Sequence, residues 1–324
     1  MLLSCGDALI DFLPVKSVDG RDAIVPVAGG SCLNIAVGMA RLGAAAGFVG
    51  GIATDLFGNI VADHALASAV ELRYATRSDH QCTLAFVRTV AGEPQYAFYD
   101  EGSASRNWVY RSGAIPFDEI DAIHVGSTTL VSETGASQAL AMIREAKGST
   151  TVSFDPNCRP NLVKNKPGYV ARMAEFAALA DIVRMSDVDF SYLHGDDDFA
   201  GRAKSMLAAG AGLVVVTRGN KGVQAWHGRA GALEVEAPAV AVVDTIGAGD
   251  SFQAALLYAL QALGRIGAKP LREMDTAELR RALSFASACA AFTCSRPGAD
   301  PPRHTELDPA VFEHLLGRGA SASG

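Results

Sequence analysis

The sequence has little cysteine chemistry to offer. Its six cysteines, Cys5, Cys32, Cys82, Cys158, Cys289 and Cys294, form no C-x-x-C pair and no histidine cluster accompanies them. That spacing argues against a zinc site and against a disulfide framework, and scattered thiols fit a reducing, cytoplasmic compartment. Long basic runs are also missing, and the formal net charge is −7. Nucleic acid is therefore not the expected partner, although an acidic chain still accommodates anionic substrates where local donors dominate. No stretch reads as a membrane span. Ala23 to Ala40 carries no charge, but Pro26, Gly29, Gly30, Ser31 and Asn34 break it into strand, turn and helix. The opening "MLLSCGDALIDF" lacks a basic n-region and is interrupted by Asp7 and Asp11, so no signal peptide is expected.

Three common nucleotide or nucleophile motifs are absent as well. There is no G-x-x-x-x-G-K-[ST], which excludes a P-loop, and no G-x-G-x-x-G after the first strand, which argues against a dinucleotide-binding domain. No G-x-S-x-G nucleophile elbow occurs. What remains is an ordinary globular composition: 324 residues, 49% hydrophobic and 19% charged, enough apolar material for a large core.

Apolar periodicity organises the chain. "LLSCGDALIDFLPV" reads as a first strand, "GGSCLNIAVGMARLG" as a glycine turn and helix, "AGFVGGI" as a buried strand and "DLFGNIVADHALASAV" as a helix. "CTLAFVRTV" and "QYAFYD", joined by "AGEP", form a hairpin that interrupts this rhythm. Alternation then resumes through "IDAIHVGS", "TTVSFD", "DIVRMS" and "GLVVVTRG", each followed by helical or turn sequence, with "GVQAWHG" returning as a strand. Helices are expected over 249–263, 276–293 and 309–316. This pattern implies a mainly parallel sheet covered by helices, with ligands at the C-terminal ends of its strands. Five suggestive stretches fall on that edge: Gly29–Asn34, Asp155–Arg159, Ser186–Asp189, Thr217–Gly222 and Gly247–Asp250.

The most informative of these is "DTIGAGDSF", Asp244 to Phe252, with the apolar "AALLYALQAL" soon after it. A helix N-terminus presents free N–H groups and positive potential. Gly247, Ala248 and Gly249 let those amides approach a phosphate closely. Asp250 beside them is placed to accept a proton from an attacking hydroxyl. The plainer alternative is a glycine-rich turn with a stabilising acid at the helix start.

"DTIGAGDSF" resembles the D-T-x-G-A-G-D signature of the ribokinase-like, or PfkB, family of carbohydrate kinases. "GGSCLNIA" resembles its first signature, and "DPNCRP" and "TRGNKG" resemble further family blocks; the likeness runs from about Leu3 to Pro302. "GDALIDFLP", "FDPNCRPNL" and "SRPGA" look most like bacterial fructokinases. The resemblance implies a three-layer α/β sandwich with a mainly parallel central sheet, helices on both faces and a small β lid. It implies one domain over 1–316, with the lid near 12–27 and 80–101 and a disordered tail at 317–324.

It also implies roles. Asp250 becomes the catalytic base, the Gly247, Ala248 and Gly249 amides the anion hole, and Arg159 a phosphate partner. Asp11, Gly29, Gly30 and Asn34 would hold sugar hydroxyls, while Phe98 and Asp100 belong to the lid's return strand. A solvated acid, a plain glycine turn and a core aromatic are the respective bland alternatives. Ser186 and Asp189 replace the Asn and Glu of the N-x-x-E block that organises Mg²⁺ through water. Thr217, Gly219 and Gly222 match the loop along ATP, and Ser287 stands where the family has an Asn beside adenosine. Asp244 orders a loop at which relatives bind a monovalent cation such as K⁺. The expected reaction is ATP-dependent phosphorylation of a hexose, with D-fructose favoured. 2-Keto-3-deoxygluconate, ribose and nucleosides are the alternatives, and a catalytically silent sugar sensor is the alternative class. Asp100, standing where 2-keto-3-deoxygluconate kinases carry an arginine, is expected to repel a sugar acid. A homodimer through the lid is a further expectation.

Overall fold

A computed structural model describes residues 1–90 and 93–318. The chain opens with β1 (Leu2–Cys5), β2 (Leu9–Lys16), β3 (Asp22–Gly29), α1 (Ser31–Arg41), β4 (Ala46–Ala53), α2 (Leu56–Ala67) and β5 (Ala75–Ser78). The hairpin of β6 (Thr83–Val90) and β7 (Glu93–Tyr99) comes after them. Next are β8 (Ala122–Gly126), α3 (Glu133–Ala146), β9 (Thr151–Asp155), α4 (Lys166–Leu179), β10 (Ile182–Ser186), α5 (Asp187–His194), α6 (Phe199–Ala208) and β11 (Leu213–Thr217). The edge strands β12 (Val223–His227) and β13 (Gly231–Val235) precede the helices α7 (Ala248–Ala262), α8 (Ala268–Arg272), α9 (Thr276–Cys294) and α10 (Pro309–Leu315).

Nine strands form one sheet in the order β13-β12-β11-β10-β9-β8-β1-β4-β5, parallel from β11 to β5 and antiparallel only at the β12 and β13 edge. The ribokinase-like sandwich is thus present. β8 to β11 are almost wholly buried, as strands covered on both faces are, and mainly apolar, with His124, Ser153, Asp155 and Arg184 among their buried polar residues. A smaller sheet, β3-β2-β6-β7, supplies the lid, with β2 and β6 parallel and both hairpin pairs antiparallel.

The expected single first strand is two strands in two sheets. β1 pairs with β4 and β8, whereas β2 pairs with β3 and β6. The break falls at Gly6–Ala8, where the Gly6 amide donates to the Val49 carbonyl and the chain leaves one sheet for the other. Two strands, β5 and β13, and the short α8 carry no pattern clear enough to anticipate. Of the expected tail, Gly317 and Arg318 close α10 by donating their amides to the His314 and Glu313 carbonyls. Residues 319–324, and 91–92 of the hairpin turn, lie outside the described residues.

Helix α7 is apolar nearly all round because it is the buried helix of one layer: Asp250 to Leu257, Ala259 and Leu260 are all inside. Its fixed position matters, since its first turn carries the acid of the site.

Candidate active site

A cavity of about 710 Å³ opens between the lid and the C-terminal ends of the parallel strands. Asp7 and Asp11, Gly30, Ser31 and Asn34 at the start of α1, Tyr96 and Phe98 on the lid, the loop after β9, and Thr245, Ile246, Gly247, Gly249 and Asp250 meet around it, while Ala248, expected in the anion hole, does not line it.

The turn before α7 is built from its glycines. Gly247 caps the helix with φ 75, and a Cβ there would stand 2.6 Å from that of Ala299. Only glycine takes that left-handed, crowded position without strain. Beyond it, the Ala248 amide donates to the Thr245 carbonyl at 3.3 Å and the Ser251 amide to the Gly247 carbonyl at 2.8 Å, whereas the Gly249 and Asp250 amides have no partner among the described residues. Asp250 is 9% exposed. Its Oδ1 accepts the Ser31 hydroxyl at 2.6 Å and its Oδ2 the Asn34 amide at 2.9 Å. Burial pushes its carboxyl above the usual carboxylate range, while those two bonds and Arg159 pull the other way. The result is an oriented acid whose basicity is raised, which suits proton acceptance.

Asp11 projects from β2 into the same space. Burial first, and then the charges of Asp7 and Asp250, raise its carboxyl to about 7 against the opposing pull of Arg159. Gly29 does not line the cavity; a Cβ there would collide with the Asp11 carboxylate, so its bareness makes room for that acid. Gly30 does line it, with φ 105 and with a would-be Cβ only 2.7 Å from the Asp7 carbonyl. Asn34 also lines the cavity, but the structure directs its amide at Asp250 rather than leaving it wholly for a ligand. Asp7 accepts the Cys32 amide, the Ser127 hydroxyl and the Thr128 hydroxyl at 3.0, 2.8 and 3.1 Å, which fixes the start of α1 to the end of β8.

Arg159 reaches the cavity from the β9 loop. Its Nη1 donates to the Asn157 and Cys158 carbonyls at 3.1 and 3.0 Å. Its guanidinium lies 5.8 Å from the Tyr96 ring centroid. Tyr96 in turn stacks on Phe98 at 5.7 Å, and its carbonyl accepts the Asn161 amide at 2.9 Å. Lid and body are thereby joined at the cavity mouth.

Other expected residues stand outside this cavity. Asp100 is one: its carboxylate accepts Arg106 Nε at 2.7 Å, so its charge is already paired. The repulsion expected of Asp100 toward a sugar acid therefore has no support. Ser186 caps α5 by accepting the Asp189 amide, and the Asp189 carboxylate accepts the Cys158 amide at 3.0 Å. Burial, and next the neighbouring Asp155, push the Asp189 carboxyl up. Thr217 accepts Arg184 Nη2 at 2.6 Å. Gly219 and Gly222 form the tight turn into β12, with φ 54 and 82, and Ser287 is buried on α9. Asp244 accepts the Ile246 and Gly298 amides at 3.0 and 2.9 Å, tying the loop before α7 to the segment after α9.

Sequence reasoning missed Ser31, Tyr96, Asn157, Asn161 and Arg184. Ser31 and Asp250 are 219 positions apart, and no local pattern links them. Asn157 carried one local hint, its residue type after Pro156, since Asn tolerates the left-handed backbone better than most residues and the structure gives it φ 40.

The chain matches the profile of the pfkB family of carbohydrate kinases over residues 1–306. It is 37% identical over 283 residues to a fructokinase of Rhizobium leguminosarum bv. trifolii, covering 86% of each chain. Its structure superposes on a fructokinase with bound ATP from Xylella fastidiosa with a TM-score of 0.85, 28% identity and 98% of each chain covered. A fructokinase double mutant from Vibrio cholerae O395, in a form with fructose, ADP and a potassium ion bound, gives a TM-score of 0.79 at 26% identity over 97% of each chain.

Proposed function

The chain belongs to the pfkB family of carbohydrate kinases, and from that premise we propose that it transfers the γ-phosphoryl group of ATP to the primary 6-hydroxyl of D-fructose. One observation carries the reading. Gly247, Gly249 and the buried Asp250 line one cavity, with both carboxylate oxygens of Asp250 held by donors from α1.

Asp250 takes the hydroxyl proton as the new P–O bond forms. The turn amides face the phosphoryl oxygens, and removing one such donor from a comparable site costs about 3 kcal/mol of transition-state stabilisation. Arg159 offsets phosphate charge, and its fork geometry suits phosphate oxygens. Asp11 and Gly30 take sugar hydroxyls at the lid end. Tyr96 and Phe98 cover that end and exclude water, which strengthens the electrostatics beneath. Thr217, Gly219, Gly222 and Ser287 are assigned to the nucleotide side.

Among the described residues, no three His, Cys, Asp or Glu side chains gather as a metal-ligand set. Mg²⁺ would be held chiefly by phosphates and water, with Asp189, whose carboxylate stands beside the β9 loop on the Cys158 amide, ordering the water shell. When bound, the ion neutralises phosphate charge. Asp244 orders the loop assigned to a monovalent cation.

Among the described residues, the acids Asp7, Asp11 and Asp250 outnumber the arginine that lines the cavity, Arg159. An uncharged sugar fits that balance better than a sugar acid. Among the described residues no helix is long and apolar enough to cross a membrane, and six free cysteines suit a reducing cytoplasm. A substrate panel tests the reading. ADP release from MgATP is measured with fructose, 2-keto-3-deoxygluconate, ribose, tagatose and adenosine. The highest kcat/KM is expected with fructose; a higher value for another acceptor would overturn the assignment, and binding without ADP release would make the protein a sensor.

A further inference from the structure

The mechanism leaves one buried cation without a task. Arg184, on β10, is 4% exposed. Its Nη1 donates to Asp155 Oδ2 at 2.5 Å and its Nη2 to Thr217 Oγ1 at 2.6 Å. The guanidinium carbon lies 5.7 Å from the Phe252 ring centroid, and the Nε, also buried, has no partner among the described residues. A Cβ built on Gly249 would come within 3.1 and 3.2 Å of the two terminal nitrogens. One planar group therefore touches the end of β9, the end of β11 and the first turn of α7. These segments lead to Arg159, to the Thr217–Gly222 loop and to the amide turn.

Stability alone is a weak reason for such an arrangement. A buried ion pair rarely outdoes an apolar replacement of the same volume, and an unpaired Nε adds a desolvation cost. Its placement suggests another role. The guanidinium is permanently charged but Asp155 offsets most of its field, so its planar fork acts on the α7 turn chiefly through contact.

We propose that Arg184 is a positioning residue for phosphoryl transfer: it sets the Gly247–Gly249 turn against the loops of Arg159 and Thr217. The same contact accounts for Gly249. Its missing side chain lets the guanidinium lie directly against the turn, where any Cβ would press on a group already pinned by Asp155 and Thr217.

This inference rests on the kinase reading, and its test separates the two. Arg184→Met alone would strand the buried Asp155 charge, so the informative variant pairs it with Asp155→Asn. Arg184→Lys keeps the charge but not the fork. Thermal unfolding checks that each variant folds. Kinetic constants are measured for ATP and for fructose, and the affinity for the non-hydrolysable analogue AMP-PNP is measured by calorimetry without sugar. In the double variant, analogue affinity should fall roughly tenfold and kcat about 10²-fold, with the KM for fructose unchanged. Arg184→Lys should recover analogue affinity and leave kcat low. A folded double variant with wild-type analogue affinity and kcat would overturn the proposal, as would equal losses toward ATP and fructose. Should the double variant not fold, an unchanged kcat in Arg184→Lys overturns it. A wild type that binds AMP-PNP yet leaves fructose untouched counts against the substrate reading, while the analogue affinities still decide the role of Arg184.

Discussion

Burial pushes two carboxylates of one cavity upward, and their differing hydrogen-bond partners give them different pH behaviour. At Asp250, the Ser31 and Asn34 bonds favour the ionised form against the cost of burial. Removing one of them must raise the carboxyl further. Ser31→Ala is therefore expected to move the acid limb of the kcat/KM profile to higher pH, while the plateau at high pH falls less; a profile unmoved along the pH axis would separate Ser31 from the base. Among the described residues Asp11 has no such donor pair, and burial raises its carboxyl to about 7. A raised carboxyl is more readily protonated in the folded chain than in the unfolded one. The stability this contributes is full below the unfolded value and declines as pH rises toward 7. Asp11→Asn removes that decline. Its melting temperature, relative to wild type and without sugar, should thus be higher at pH 8 than at pH 5, and an equal difference at both would contradict the linkage. The acid of G-A-G-D and its glycines were legible in the sequence because helix-start chemistry is local. Its hydrogen-bond donors were not, because tertiary packing alone brings α1 against α7.

The elements differ in how much of themselves they declare. β8, β9, β10 and β11 are short, mainly apolar runs closed by turn residues, and each was readable as a buried parallel strand. The first run was not, since periodicity is continuous across Gly6–Ala8 while the chain changes sheet there. β5 has no buried residue and β13 only one, so neither has an apolar face for a pattern to report. The lid hairpin was recognised, but not its hold on the body. That hold includes the Asn161–Tyr96 bond and the Arg159–Tyr96 contact. Asn161 is exposed, so Asn161→Ala should leave the melting temperature unchanged. Losing the bond should raise the KM for fructose by a few-fold, about the worth of one hydrogen bond, with kcat changed less. Unaltered kinetics would show that the latch has no part in closure.

At the scale of the molecule, the lid has two faces. Strand alternation sends Asp11 and Phe98 toward the cavity and leaves Ile24, Phe86 and Tyr99 exposed on the other side, at 53%, 36% and 66%. Exposed apolar side chains on a sheet face suit a second copy of the chain. Sedimentation should find a dimer in the wild type and a monomer for Ile24→Glu, and a monomeric wild type would remove the lid from any assembly. The body below does not depend on that outcome. Its parallel edge gathers the β9 and β11 loops and the α7 turn whether or not lids pair, and in the proposed reaction Asp250 is where those parts meet the acceptor. The most direct measurement is therefore phosphoryl transfer by Asp250→Asn, followed as sugar phosphate formed from MgATP and fructose, beside calorimetric binding of fructose and AMP-PNP. Binding of both ligands near wild-type strength with turnover lower by about 10³-fold or more is the predicted result. Turnover close to that of the wild type would contradict the account.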